Sequence, residues 1–348
     1  MKIREDIGLT FDDVLLVPRK SAIDSRFNGE IDFTMQFLPN VSLRYPLISA
    51  NMDSVTELQM MQAMHKLHGL GIIHRFMPIE KHKSMLNASG VGPTIGCVGI
   101  GDNGKKRAEA LVAVCDGFLV DIAHGHCDAM IRQIEWLKSL EKPVIAGNIA
   151  TASGAIDLMD AGAHSIKVGV GPGSLCSTRL KTGAGIPQLT AIMDVREAID
   201  AWYRYKDQDF FKPTLIADGG IKNSGDIIKA FVAGADAVMM GNVFAGTEES
   251  PGQIINMPGK GKIKVYRGMA SKEAQEDWKG KATSIEGEMT WVPYKGSVDN
   301  IFEDIINGMC SGMSYQNARN VNELRENAVF VRQTPAGYVE AQPHALKG

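Results

Sequence analysis

The chain lacks the features of membrane, disulfide-rich and nucleic-acid-binding proteins. No apolar run among its 348 residues approaches the roughly 18–20 residues of a membrane span. The formal net charge is -3, so no basic excess is available to neutralise the phosphates of a nucleic acid. Five cysteines without CxxC spacing are typical of free thiols in a reducing cytosol, and the charged first segment does not resemble a signal peptide. We therefore expect a cytoplasmic protein without a membrane or nucleic-acid partner.

Short apolar runs recur at regular spacing along the chain. Each is nearly continuous rather than alternating, as expected of a parallel strand that is buried on both faces. The runs are Pro46–Ala50, Gly71–His74, Thr94–Val98, Gly117–Ile122, Pro143–Gly147, Ser165–Val170, Thr214–Ala217 and Ala237–Met240. Segments with helical periodicity lie between most of them, at 55–67, 77–88, 128–140 and 226–233. Eight such units predict an α/β fold, a (β/α)8 TIM barrel in a single domain over residues 1–348, rather than an open doubly wound sheet.

Polar residues and glycines cluster just after the ends of these runs. Asn51 and Asn148 follow two of them, Asp121 lies at the end of a third, and Asp218-Gly219-Gly220 and Gly241-Asn242 follow the last two. In a barrel these positions gather on the C-terminal face, where such enzymes have their active sites. The loops after strands seven and eight are the usual phosphate site of this fold. We therefore expect a ligand site at this face.

The loop at residues 169–179 reads GVGPGSLCSTR and contains the cysteine with the strongest signal. Alternate glycines and a proline make this loop too tight for a core element, and such a loop can hold a thiol at a cleft. A free thiol is mostly protonated at neutral pH, so a nucleophilic Cys176 needs a group that activates it. Arg179, backbone amides and the substrate are the candidates.

Two short patterns suggest other chemistry but fit it poorly. Residues 99–104 read GIGDNG, a match to the GxGxxG of dinucleotide-binding folds, yet they follow the third strand of a barrel series. His124, His126 and Cys127 are zinc-ligand types, but three ligands this close strain one tetrahedral site and no fourth is apparent. We expect a ligand-facing loop at His124 rather than a metal site.

Seven motifs together resemble the IMP dehydrogenase/GMP reductase family. They are residues 49–56 (SANMDSVT), 146–148 (AGN), the 169–179 loop, 216–221 (IADGGI), 241–252 with AGTEESPG at its end, 266–269 (YRGM) and 292–296 (VPYKG). They run in the family's order over nearly the whole chain, and the combination is specific although each piece alone is weak. The resemblance implies a (β/α)8 barrel, usually a homotetramer, that acts on a purine nucleotide.

The resemblance also implies roles for individual residues. Cys176 matches the nucleophile that bonds to C2 of the purine, and Thr178 and Glu286 match the pair that protonates a departing amine. The implied substrate contacts are Ser174, Asp218, Gly219, Gly220, Gly241, Asn242, Tyr266, Gly268, Met269 and Ser271. The implied nicotinamide cofactor contacts are Asp121, Ile122, Ala123, His124 and Asn148. The carbonyls of Gly171, Gly173 and Cys176 match those that hold a monovalent cation such as K⁺.

Two absences favour one of the family's two reactions. Only one helical segment separates the second and third strands, so there is no room for the CBS modules that most dehydrogenases insert there. Residues 270–285, which match the dehydrogenases' mobile flap, contain neither the arginine nor the tyrosine that activates water in those enzymes. We therefore expect an NADPH-dependent GMP reductase with a flap at about residues 268–292 and a C-terminal extension from about residue 333.

Three alternatives remain open. The runs at 216–226 and 266–269 and the tail at 340–344 look more like dehydrogenases, so an NAD-dependent IMP dehydrogenase without CBS modules is the first. A reductase of a modified purine nucleotide is the second. A catalytically silent barrel for nucleotide sensing is the third, although the presence of Cys176 and Asp218 argues against it.

Overall fold

The computed structural model describes residues 3–26, 29–206 and 210–343. The first three strands of the chain lie outside the central sheet. β1 (Val14–Leu16) pairs antiparallel with a strand near the C-terminus, at Phe330–Arg332. β2 (Met35–Leu38) and β3 (Val41–Leu43) form an antiparallel hairpin. The N-terminal region therefore supplies two small ribbons before the central sheet begins.

The central sheet has eight parallel strands, one in or beside each apolar run of the sequence. They are β4 (Leu47–Ser49), β5 (Leu70–Gly71), β6 (Ile95–Val98), β7 (Gly117–Asp121), β8 (Val144–Ile149), β9 (Ser165–Val168), β10 (Thr214–Asp218) and β11 (Ala237–Met240). Their hydrogen-bonded order, β5-β4-β11-β10-β9-β8-β7-β6, is that of a barrel followed round from its second strand to its third. The predicted barrel is confirmed, although β5 ends at Gly71, three residues before the predicted end of that strand.

Side chains from around the curled sheet meet in one interior cluster. Leu70 and Ile72 from one end of the sheet pack in the same buried cluster as Ile95 and Cys97 from the other end. The hairpin of β2 and β3 joins this cluster through Phe37, whose carbonyl accepts a hydrogen bond from the Thr214 hydroxyl at 3.0 Å. Because Thr214 begins β10, the hairpin closes the N-terminal end of the barrel and leaves the C-terminal end to the site.

Helices lie between the barrel strands and after the last of them. They are α1 (Leu58–Lys66), α2 (Ile79–Asn87), α3 (Gly101–Leu111), α4 (Asp128–Leu137), α5 (Ala152–Ala161), α6 (Thr178–Thr182), α7 (Gln188–Arg204), α8 (Ser224–Ala233), α9 (Lys272–Lys279), α10 (Val298–Tyr315), α11 (Val321–Asn327) and α12 (Pro335–Glu340). Asn223 caps α8 by accepting a hydrogen bond from the Asp226 amide, as its residue type predicts. The GIGDNG run directly follows β6, the third barrel strand, and its last four residues form the first turn of α3. Within the described ranges, no helix combines the length and apolar character needed to cross a bilayer.

Three further strands follow the barrel strands and carry the flap. β12 (Ile255–Met257), β13 (Gly261–Arg267) and β14 (Met289–Pro293) form an antiparallel sheet, and α9 lies in the connection between β13 and β14. The last strand, β15 (Phe330–Arg332), is the partner of β1. In the extension from residue 333, α12 follows β15, and residues 344–348 lie outside the described part of the chain.

Candidate active site

A cleft of about 850 Å³ opens at the C-terminal ends of the barrel strands. Eighteen of the residues named above as site candidates line it. They are Asp121, Ile122, Ala123, Asn148, Gly171, Gly173, Ser174, Cys176, Thr178, Asp218, Gly219, Gly220, Gly241, Asn242, Tyr266, Gly268, Met269 and Glu286. The strand-end loops and the flap thus bring together residues more than 160 positions apart in the chain.

Three of these side chains form a continuous hydrogen-bonded chain. The Cys176 thiol donates to the Thr178 hydroxyl, with Sγ and Oγ1 3.1 Å apart. The same hydroxyl donates to the Glu286 carboxylate, with Oγ1 and Oε2 2.8 Å apart. Cys176 is exposed to the cleft, whereas Thr178 and Glu286 are half-buried. Since each hydrogen bond is donated toward the carboxylate, this hydrogen-bonded series gives the thiol proton a path to an acceptor. Transfer along it leaves a thiolate on Cys176.

Backbone pairing between the 169–179 loop and the flap positions this chain. Cys176 and Gly287 form an antiparallel bridge, and the Ser177 amide donates to the Glu286 carbonyl at 2.9 Å. Arg179 braces the loop from below, because its guanidinium donates to the carbonyls of Val170 and Ile186 at 3.0 and 2.6 Å. Arg179 therefore supports the loop, and the hydrogen-bond partner of the thiol is Thr178.

The loops after β10 and β11 form a second region of the cleft, where glycines expose the backbone. Gly219 and Gly220 both have positive φ angles, +88° and +79°, which favour glycine. A Cβ at Gly241 would lie 2.8 Å from the Tyr266 hydroxyl, so only glycine leaves this hydroxyl room. Burial raises the pKa of Tyr266, whose hydroxyl lies 3.3 Å from the Ser174 hydroxyl. Two neutral hydroxyls and open backbone here suit an anion such as a phosphate.

A buried lysine that the sequence analysis missed links two predicted site residues. The Lys167 ammonium lies 2.8 Å from a carboxylate oxygen of Asp121 and 2.6 Å from one of Asp218. Burial alone would lower the pKa of Lys167, but the two carboxylates raise it overall. Burial alone would raise the pKa of Asp121, but the charge of Lys167 lowers it overall. The sequence signal that could have predicted this cluster is the lysine inside the apolar run of β9, because a buried charge needs partners of opposite charge.

Asparagine side chains complete this charged cluster. The Asn148 amide donates to Asp218 at 2.8 Å and to the Gly169 carbonyl at 2.9 Å, and its oxygen accepts a hydrogen bond from Lys167. The Asn51 amide donates to Asp121 at 3.0 Å. The two carboxylates are thus held in fixed orientations. Both donors to Asp218 contact Oδ2, so its Oδ1 can accept from a ligand.

Two predicted site residues lie outside the lining of the cleft. His124 is exposed on the loop after β7, with its ring 6.5 Å from that of His126, and His126 pairs with Asp157 at 2.8 Å. Ser271 is fully buried and caps α9, where its hydroxyl accepts a hydrogen bond from the Ala274 amide. Ser271 therefore supports the flap helix, while its neighbours Gly268 and Met269 face the cleft.

Comparison with known proteins gives this site a family. The IMP dehydrogenase / GMP reductase domain family matches residues 8–344. Inosine-5'-monophosphate dehydrogenase from Borreliella burgdorferi is 36% identical over 403 residues, covering 97% of this chain and 96% of that protein. GMP reductase from Buchnera aphidicola subsp. Schizaphis graminum is 34% identical over 345 residues, covering 95% of this chain and 96% of that protein.

A solved structure agrees with these relatives. It is a cysteine-to-alanine variant of GMP reductase from Trypanosoma brucei in complex with guanosine 5'-monophosphate. It superposes with a TM-score of 0.90 and 29% sequence identity, covering 97% of this chain and 98% of that one. The chain described here is a member of the IMP dehydrogenase/GMP reductase family of purine nucleotide oxidoreductases.

Proposed function

We propose that the protein is a GMP reductase, which converts GMP to IMP and ammonia with NADPH as the reductant. The observation that carries this proposal is the hydrogen-bonded chain from Cys176 through Thr178 to Glu286. A reductive deamination needs a nucleophile at C2 of the purine and an acid that protonates the departing amine. One chain of three side chains supplies both groups.

The proton that Cys176 loses is the one that the leaving group needs. Thr178 relays the thiol proton to Glu286, and the sulfur attacks C2 of GMP. A C–S bond forms as the C2=N3 π bond breaks, and N3 takes a proton from solvent. Glu286 then returns its proton through Thr178 to the exocyclic nitrogen. The C2–N bond breaks and ammonia leaves as the C2=N3 bond re-forms and N3 releases its proton to solvent, which leaves a thioimidate on Cys176. Glu286 thus acts as base and then as acid within one turnover.

The second half of the reaction is the redox step. Bound NADPH supplies a hydride, which reduces C2 by two electrons. The C–S bond then breaks with its electron pair returning to the sulfur, and IMP is released. The whole reaction consumes GMP, NADPH and two protons and yields IMP, NADP⁺ and an ammonium ion, so atoms and charges balance.

The rest of the cleft has groups for the nucleotide. In this proposal Gly219, Gly220, Gly241, Ser174 and Tyr266 hold the 5' phosphate, because open backbone and neutral hydroxyls line that region. The remaining predicted contacts follow from the same pose. Asp218 accepts both ribose hydroxyls, and Asn242, Gly268 and Met269 surround the sugar and base.

The other side of the charged cluster suits the nicotinamide. Asp121, Ile122 and Ala123 line the cleft beside it, and Lys167 joins Asp121 to Asp218. We expect a monovalent cation such as K⁺ at the carbonyls of Gly171, Gly173 and Cys176, where it would stabilise the loop. The Gly173 carbonyl already accepts a hydrogen bond from the Cys176 amide at 3.0 Å, and its second lone pair leaves room for an ion. We also propose that four copies of this chain form a homotetramer.

An NAD-dependent IMP dehydrogenase is the alternative. It is favoured by the relatives, since one dehydrogenase is 36% identical against 34% for the Buchnera reductase. Against it, the alignment with that dehydrogenase runs over 403 residues, more than this chain contains, whereas the alignment with the reductase is nearly collinear at 345. Hydrolysis also needs a water activator, and residues 270–285 contain no arginine or tyrosine.

A paired activity assay tests the proposal. GMP with NADPH should consume the reduced cofactor and release one ammonia for each NADPH oxidised. The Cys176→Ala variant should lose turnover and still bind GMP, while Cys310→Ala, which changes a half-buried cysteine of α10, should behave as the wild type. Formation of NADH from IMP and NAD, with no reaction of GMP, would replace the proposal by the alternative.

A further inference from the structure

The cleft has an aromatic end that the proposed chemistry leaves unused. Phe76, on the loop after β5, and Trp278, on the flap helix α9, both line it. Their ring centroids lie 6.1 Å apart with an interplanar angle of 87°, an edge-to-face contact. Both side chains are only half-buried. The flap therefore meets the barrel here through two rings that keep exposed surface toward the cleft.

Phe76 and Trp278, which we call the aromatic wall, lie apart from the phosphate region, the part of the cleft formed by the loops after β10 and β11. Phe76 follows the second barrel strand, and the phosphate region follows the seventh and eighth. Arg75 connects the wall to the predicted cofactor side, because its guanidinium lies 4.5 Å from the centre of the Phe76 ring and its Nε donates to the Asp121 carbonyl at 3.3 Å. The wall is thus continuous with Asp121.

The chemistry of this end fits one class of ligand. Two aromatic rings offer a surface for a planar heterocycle, and Arg75 and Lys279, which also line the cleft, offer positive charge for phosphates. An anionic dinucleotide has both parts. We propose that Phe76 and Trp278 form a stacking wall for a planar ring of the nicotinamide dinucleotide.

This inference rests on the proposed function only in requiring a dinucleotide, which both family reactions use. It therefore separates from the choice of reaction when binding rather than turnover is measured. A Cys176→Ala background allows this, since both nucleotides can be present without reaction. NADPH is titrated with GMP present, and NAD with IMP present, by calorimetry.

The Trp278→Leu and Phe76→Leu variants should each raise the Kd of the dinucleotide about tenfold, because one lost stacking contact of this kind is worth about 1.4 kcal/mol. Trp278→Phe should retain most of the affinity, since a ring remains. The Kd of the purine nucleotide should stay within about twofold of the wild type in all variants. The matched control is Trp291→Leu, which removes a 47% exposed tryptophan on β14 that does not line the cleft.

Two fragments of the dinucleotide show which of its two rings contacts the aromatic wall. Weaker binding of reduced nicotinamide mononucleotide to Trp278→Leu would assign the wall to the nicotinamide, and weaker binding of ADP-ribose would assign it to the adenine. Either result supports the proposal. Unchanged dinucleotide affinity in both leucine variants would overturn it. An equal loss of purine nucleotide affinity would also overturn it, because the two rings would then only pack the flap against the barrel.

Discussion

At the scale of single residues, the thiol proton of Cys176 has a defined destination. The thiol donates to Thr178 and Thr178 donates to Glu286, so a hydroxyl stands between the sulfur and the carboxylate. A hydroxyl can donate one hydrogen bond while it accepts another, which is what a relay requires. The valine that is isosteric with threonine cannot do this. Transfer between Cys176 and Glu286 therefore depends on one oxygen atom.

Removing the acid–base function of Glu286 should slow the chemical step without weakening the binding of the substrate. An amide in the Glu286→Gln variant still accepts the Thr178 bond but cannot take and return a proton, so kcat should fall about 100- to 1,000-fold. The Kd of GMP should change little. Single-turnover measurement of ammonia release checks this, with Glu288→Gln, an exposed neighbour, as the matched control. Activity within about threefold of the wild type would exclude the relay.

At the scale of elements, local signals predicted the barrel well. The eight apolar runs predicted the eight strands because buried parallel strands need continuous apolar sequence, and Asn223 predicted the start of α8. What could not be predicted depends on contacts distant in sequence. The bridge between Cys176 and Gly287 joins segments with no local pairing signal. The Phe76–Trp278 contact and the two carboxylate partners of Lys167 are of the same kind.

The packing of α2 against α3 places a histidine in a site that opposes its charge. His82 is fully buried, and its Nδ1 lies 3.3 Å from the Arg107 guanidinium, which also donates to the Met77 carbonyl. Burial, together with the charge of Arg107, lowers the pKa of His82 from 6.5 to about 3. The neutral imidazole is therefore the form that fits between these helices.

This histidine should make stability depend on pH. Between pH 6.5 and about 3 the unfolded chain binds a proton at His82 that the folded chain does not, so the free energy of unfolding falls as the pH falls. The contribution is about 1.4 kcal/mol per pH unit across that window. Denaturant unfolding of His82→Gln at several pH values should therefore show a shallower slope than the wild type. Equal slopes would mean that the buried histidine is not neutral.

At the scale of the whole molecule, the barrel separates stability from chemistry. The two ends of the sheet meet through the interior cluster, and the β2–β3 hairpin closes the end opposite the cleft. The hairpin was not predicted from sequence, because its four- and three-residue strands are too short for a periodicity signal. Its side chains nevertheless complete the core that holds the strands in place. The loops at the other end can then vary without loss of the barrel.

The β2–β3 hairpin thus acts as a plug at the N-terminal end of the barrel. Truncating a buried side chain of this plug should lower stability and leave the site intact. Phe37 has no exposed surface and lies in the interior cluster, so Phe37→Ala should lower the free energy of unfolding by about 3–5 kcal/mol through lost burial and a residual cavity. At a temperature where the variant stays folded, its KM values should equal those of the wild type, because the cleft lies at the far end of the barrel. Val91→Ala, at a 99% exposed position, is the control and should unfold like the wild type. A loss below about 1 kcal/mol, or a change in KM without unfolding, would show that the hairpin does not act as a separate plug.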